Sequence, residues 1–126
     1  MNIRGYRVVR FLAGLLLVTV GADKFFGFYP LPTGTEPADA FVAALEATGY
    51  MMPFVAAVET AAGLLFLSNR YVALAAVIVM PVSLNAFFFH LFLSPAAMFP
   101  TTALLLLNLL IIYEKRECYR ALFKAR

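Results

Sequence analysis

Charge is scarce in this chain. Seven Asp and Glu and ten Lys and Arg make up 13% of its 126 residues, while 63% are hydrophobic and the mean hydropathy is +0.88. So little charge cannot cover the surface of a water-soluble domain, so much of the chain must be solvated by lipid. Cysteine is nearly absent as well. The single Cys118 excludes an internal disulfide and any CxxC redox or zinc motif. One histidine, His90, excludes ligation of a metal or haem by two histidines of one chain, and no cysteine lies near it. The sequence contains no glycine-rich phosphate loop, no GxSxG, no HExxH and no Cys/His nucleophile pair. Hydrolase and nucleotide-binding readings lose their support, and a metal site is not expected.

What is present is a pattern of long apolar runs punctuated by basic residues. Spans of membrane length are expected at about 8–26, 51–67, 71–93 and 96–113, near the ~20 residues that a ~30 Å hydrocarbon core requires. Arg4, Arg7 and Arg10 precede the first span, Arg70 separates the second from the third, and Lys115, Arg116, Arg120, Lys124 and Arg126 follow the fourth. Only Lys24 falls in a connection of the other parity. Basic loops stay on the cytoplasmic side. Nine against one therefore predicts an all-α, polytopic four-helix membrane bundle with both termini cytoplasmic, as a single domain. The net charge of +3 follows the membrane flanks, so the expected partner is the bilayer and not nucleic acid.

The opening arginines, the apolar run from Phe11 to Ala22 and Val20-Gly21-Ala22 imitate a signal peptide. Apolar character resumes at Phe25, Phe26 and Phe28, so the segment is expected to be retained as the first span. A turn-rich connection from Gly27 to Pro37 leads to an amphipathic segment at 38–50, too short to span and read either as a helix at the outer interface or as an exposed loop helix that touches no lipid. Pro81 predicts a kink in the third span. The tail at 114–126 is expected to lie on the inner surface, with Tyr119, Leu122 and Phe123 dipping into the interface.

The candidate functional residues are the polar groups at bilayer depth, which normally face a bundle interior and find partners. Glu59 lies eight residues from Met51, Asn85 eight from Leu93 and Asn108 eight from Pro100, so a rise of ~1.5 Å per residue sets all three about 12 Å from the outer ends. Nearer the outer surface come His90, the Phe87-Phe88-Phe89 cluster and Asp23-Lys24. On the first span Arg10, Gly14, Leu17, Gly21 and Lys24 share one face, and on the second Glu59, Ala62, Gly63 and Phe66 do, with Arg70 returning to it. The glycines permit close helix approach. Glu59, Asn85 and Asn108 can serve as a hydrogen-bonded clasp, as a proton-handling or ligand-binding site, or as a partner contact. The phenylalanines suit either lipid or a flat ring.

Taken together these residues resemble the DoxX family of small four-helix membrane proteins. The resemblance rests on Arg10, on Gly21-Ala22-Asp23-Lys24-Phe25, and on Glu59 with Thr60-Ala61-Ala62-Gly63-Leu64-Leu65. It continues with Arg70 and with Asn85 followed by Phe89-His90-Leu91-Phe92-Leu93, and reaches about Leu110. The family is named for a subunit linked to thiosulfate:quinone oxidoreductase, and other members accompany redox enzymes. A distant vertebrate relative, the nicotinic-receptor chaperone NACHO, assists receptor assembly. The resemblance thus implies one of two roles in a bacterial cytoplasmic membrane.

The first is a subunit of quinone-linked redox chemistry. Glu59 and His90 would then act as the catalytic proton relay, and Lys24, Asn85, Phe88, Phe89 and Asn108 would line a quinone site. That role needs a redox partner, since no electron-carrying motif is present. The second is a non-catalytic chaperone or scaffold with a filled interior, docking to a partner protein or a second copy. A transporter ranks last, because the inner halves of the first three spans offer almost no polar residues.

Overall fold

The computed structural model describes residues 2–26 and 35–125. Most of the turn-rich connection expected at Gly27 to Pro37 lies outside the described residues, as does Arg126. Among the described residues every regular element is helical. These are α1 (Ile3–Phe26), α2 (Glu36–Ala47), α3 (Met51–Ser68), α4 (Val72–Phe92), α5 (Met98–Glu114) and two 3-10 helices, Pro95–Ala97 and Arg116–Phe123. Two of them, α3 and α4, are long and apolar enough to cross a membrane; a third span results if α5 and the last 3-10 helix, bent by 73°, are counted together.

The four longer helices close into a ring, α1 on α3, α3 on α4, α4 on α5 and α5 on α1. Inside that ring the side chains are mostly small: Ala13, Gly14, Gly21, Ala56, Ala62, Gly63, Ala75 and Ala76 are buried, with Leu17, Phe66, Val79 and Ile111 among them. Large apolar side chains point outward, including Phe11, Leu15, Phe54, Leu64, Leu74, Ile78, Phe88, Leu106 and Leu110. A water-soluble monomer does not expose apolar surface on this scale. In lipid the arrangement is the stable one, because small residues let helices approach and large ones meet the acyl chains.

The ends of the helices explain their boundaries. Asn2 accepts from the Gly5 N–H at 2.7 Å, starting α1 well before the apolar run begins. Asn69 ends α3 in the left-handed region (φ 56°), with the Arg70 N–H reaching back to the Leu65 carbonyl at 3.1 Å. Tyr71 is also left-handed (φ 51°), so only 69–71 separate α3 from α4. Thr35 caps α2 by accepting from the Ala38 N–H, and its hydroxyl donates to the Leu93 carbonyl, fastening α2 to the end of α4. Phe41 of α2 then meets Phe89 of α4 with ring centroids 5.4 Å apart. The helix of α4 continues through Pro81.

At the far end, the 3-10 helix Arg116–Phe123 folds back beneath the bundle. The Tyr119 hydroxyl donates to the Ala73 carbonyl at 2.7 Å, and the ring is buried. Burial pushes the Tyr119 phenol above its ordinary value, with Cys118 and Tyr6 adding to the effect, and keeps it protonated as a donor. Leu122 and Phe123 remain exposed. Of the three residues expected to enter the interface, Tyr119 instead packs on α4, because its hydroxyl can reach a carbonyl in that helix's first turn.

Candidate functional site

The seam between α1 and α3 carries most of the polar chemistry. Gly14 and Gly63 face each other so closely that a Cβ on Gly63 would lie 2.9 Å from the Gly14 carbonyl oxygen, and one on Gly14 would lie 3.0 Å from the Gly63 oxygen. Gly21 similarly lies against Thr60 and the Ala56 carbonyl. This close approach brings two ionisable groups together. Lys24 Nζ donates to Glu59 Oε2 at 3.0 Å, with the Glu59 side chain only 4% exposed and Lys24 25%. At the other end of the seam Arg10 donates to the Phe66 carbonyl and lies 3.4 Å from the Leu67 carbonyl. These are carbonyls of the last turn of α3, where a cation meets the negative end of the helix dipole, and the Phe66 carbonyl also accepts from the Asn69 N–H. Arg70, expected on this face, is exposed, and Arg10 holds the helix end instead.

The expected layer of three polar residues is regrouped. Asn108 is wholly buried, and its amide donates to the Ala76 carbonyl at 3.3 Å and contacts Met80 Sδ at 3.2 Å. The chain reverses at Ser94, so Asn108 lies 14 residues beyond the turn, about 21 Å along the bundle. Counting from Pro100 set it too shallow, since the chain already runs inward through Pro95–Ala97. Asn108 therefore lies level with Ala76 and Met80 of α4.

Asn85 is not part of that level. It sits farther out on α4 and is exposed. The polar residue that α4 turns inward is Ser83, 1% exposed, two positions and about 200° around the helix from Asn85. The Ser83 hydroxyl, the Asn108 carbonyl oxygen and the Thr60 hydroxyl are buried without hydrogen-bond partners.

His90 and the phenylalanines form a separate group at the C-terminal end of α4. His90 Nδ1 lies 3.2 Å from the Ser94 carbonyl, and Phe89 packs against the imidazole at 5.0 Å with planes at 84°. Phe88 is exposed beside Phe92 at 6.0 Å. The structure thus joins Lys24 with Glu59, seats Asn108 against Ala76 and Met80 on another seam, and leaves His90, Phe89, Phe88 and Asn85 on or near the surface of α4. One groove of about 260 Å³ opens between α3 and α4, lined by Phe54, Ala57, Val58, Ala61, Ala62, Leu65, Ala75 and Ile78. Its lining is apolar throughout and includes none of the candidate residues, so it offers no hydrogen bond to a quinone carbonyl.

An all-helical chain with a small-residue interior, large apolar side chains outside and an ion pair between two helices is a membrane protein. The chain belongs to the DoxX family, whose profile matches residues 5–91. No curated protein and no solved structure matches it.

Proposed function

We propose that this chain is a four-span inner-membrane protein of bacteria with both termini cytoplasmic, acting as an accessory subunit of quinone-linked redox chemistry. The observation that carries the reading is the outward face of α4. Asn85 is exposed there between Leu84 and Phe88, with no bond inside the bundle. A side-chain amide facing hydrocarbon is unfavourable unless it finds a partner, and asparagine is a recurrent hydrogen-bonding contact between membrane helices. Phe88 and Phe92 flank it with exposed aromatic surface. A partner helix or a ring-bearing lipid seated on this face would satisfy the amide and cover both rings.

A quinone would supply the carriage of electrons and protons; this chain's share is to position and to hold. Lys24 and Glu59 close the α1–α3 seam and keep a carboxylate at bilayer depth, while His90 stands at the outer end with one ring nitrogen directed to the Ser94 carbonyl. The orientation is supported by charge, since Arg4, Arg7, Arg70, Lys115, Arg116 and Arg120 gather at one end of the bundle and Lys24 alone at the other.

A second reading, a chaperone or scaffold for assembly of partner membrane proteins, is favoured by the engagement of Glu59, Asn108 and Arg10 in contacts within the bundle. One experiment separates the two. Extraction in mild detergent followed by mass spectrometry should recover isoprenoid quinone with the wild-type complex and lose it on Asn85→Leu, with folding retained. Well-folded wild type without quinone, together with depletion of a membrane partner in cells lacking this chain, would replace the redox reading by the assembly one.

A further inference from the structure

The end of the bundle where α1 begins and α5 finishes holds a second polar site. A cavity of about 160 Å³ is lined by Asn2, Ile3, Tyr6, Glu114 and Lys115. That is well below the roughly 300–1,000 Å³ that encloses a drug-sized molecule, so it accommodates a fragment. Three groups define its chemistry. The Lys115 ammonium stands 5.2 Å over the Tyr6 ring, the Tyr6 hydroxyl is buried with no hydrogen-bond partner, and Glu114 supplies a carboxylate.

We propose that this pocket binds the headgroup of an aminophospholipid. Lys115 and the Tyr6 hydroxyl donate to its phosphate, and Glu114 accepts from its ammonium. A buried hydroxyl normally has a partner, and a phosphate oxygen beside Lys115 provides one. Glu114 already has an interaction within the chain, but a carboxylate offers about four acceptor positions and has room for another N–H. The opposed charges select the headgroup. A phosphatidylglycerol headgroup carries the same phosphate but only neutral hydroxyls to set against Glu114, a weaker contact than a charge-assisted one, and a choline headgroup has no N–H to give it. Val8 and Phe11 on α1, with Leu106 and Leu110 on α5, are exposed apolar side chains toward the bundle's middle and provide surface for acyl chains. The inference rests on the membrane-spanning reading, which sets this end of the helices at headgroup level.

The test uses the intact purified protein, exchanged into mixed micelles with phosphatidylethanolamine, phosphatidylglycerol or phosphatidylcholine, and reads bound lipid by native mass spectrometry. The wild type should retain one phosphatidylethanolamine with an affinity about tenfold above that for phosphatidylcholine, equivalent to ~1.4 kcal/mol. Lys115→Gln and Tyr6→Phe should each lower that retention several-fold, and Glu114→Gln should shift preference toward phosphatidylglycerol. Equal retention of the three lipids by the wild type overturns the proposal, whatever the variants do. Competition by inorganic phosphate as effective as that of the lipid would show a simple phosphate site and overturn it too. Labelling of tagged termini from each side of sealed vesicles separates the two readings. Termini on one face leave only the pocket at stake, and termini on opposite faces remove both.

Discussion

α3 is packed in two different ways on its two sides. Toward α1 it presents Glu59, Gly63 and Phe66 and is met by Lys24, Gly14 and Arg10, so backbones touch and charges pair. Toward α4 it presents Phe54, Ala57, Ala61 and Leu65 and leaves a groove of about 260 Å³ with no polar group in its lining. In lipid there is little hydrophobic drive to press helices together, so packing detail and polar contacts decide which seams close. The first seam has both, and the second is held by apolar packing, with Ala62 and Phe66 in one core with Ala75, Ala76 and Val79, and by a short turn.

The comparison is broken most severely through the ion pair. Lys24→Met leaves the Glu59 carboxylate buried without its cation, and loss of one partner of such a pair destabilises by about 3–5 kcal/mol, here at the lower end because Lys24 is partly exposed. Thermal unfolding in detergent should show that loss, and adding Glu59→Gln should restore much of it. Next comes Gly63→Ala. The new Cβ meets backbone and Val18, and overpacking costs about 1–3 kcal/mol; an unchanged melting temperature would mean the seam is looser than described. At the tail, Tyr119→Phe removes the bond to the Ala73 carbonyl, for about 0.5–1.5 kcal/mol.

The same tail bond has a pH dependence. The phenol's folded value is raised, so its contribution is complete below the ordinary tyrosine value of 10.0 and is lost as pH rises through the folded value. The protection of amides at the start of α4, measured against their intrinsic exchange rate at each pH, should fall only in that alkaline range. The smallest effect is Ala57→Leu, which adds bulk to the open groove and should change stability by under ~0.5 kcal/mol, as for an exposed position. A large loss there would remove the contrast between the two seams.

How much of this was legible in the sequence depended on the helix. On α1 and α3, glycines and charges mark one face, and the buried residues Gly14, Leu17 and Gly21, with Glu59, Ala62, Gly63 and Phe66, are those that helical spacing groups together. On α4 the run from Val72 to Phe92 is apolar nearly all round. Spacing therefore could not tell whether Ser83 or Asn85 points inward. The depth of Asn108 depended on where the chain reverses, and a 3-10 turn after Ser94 moved that origin. The partnership of Arg10 with the end of α3 is a contact between residues 56 and 57 positions apart, beyond the reach of any local pattern.

The Lys24–Glu59 pair also bears on the membrane voltage. A single unpaired charge carried across the bilayer responds by about 2.3 kcal/mol per 100 mV. Two opposite charges only 3.0 Å apart, in a hydrocarbon core of ~30 Å, span at most about a tenth of the field, which leaves roughly 0.2 kcal/mol per 100 mV. With both groups ionised, the pair is electrically silent. Energising or discharging the membrane leaves the joint between α1 and α3 closed.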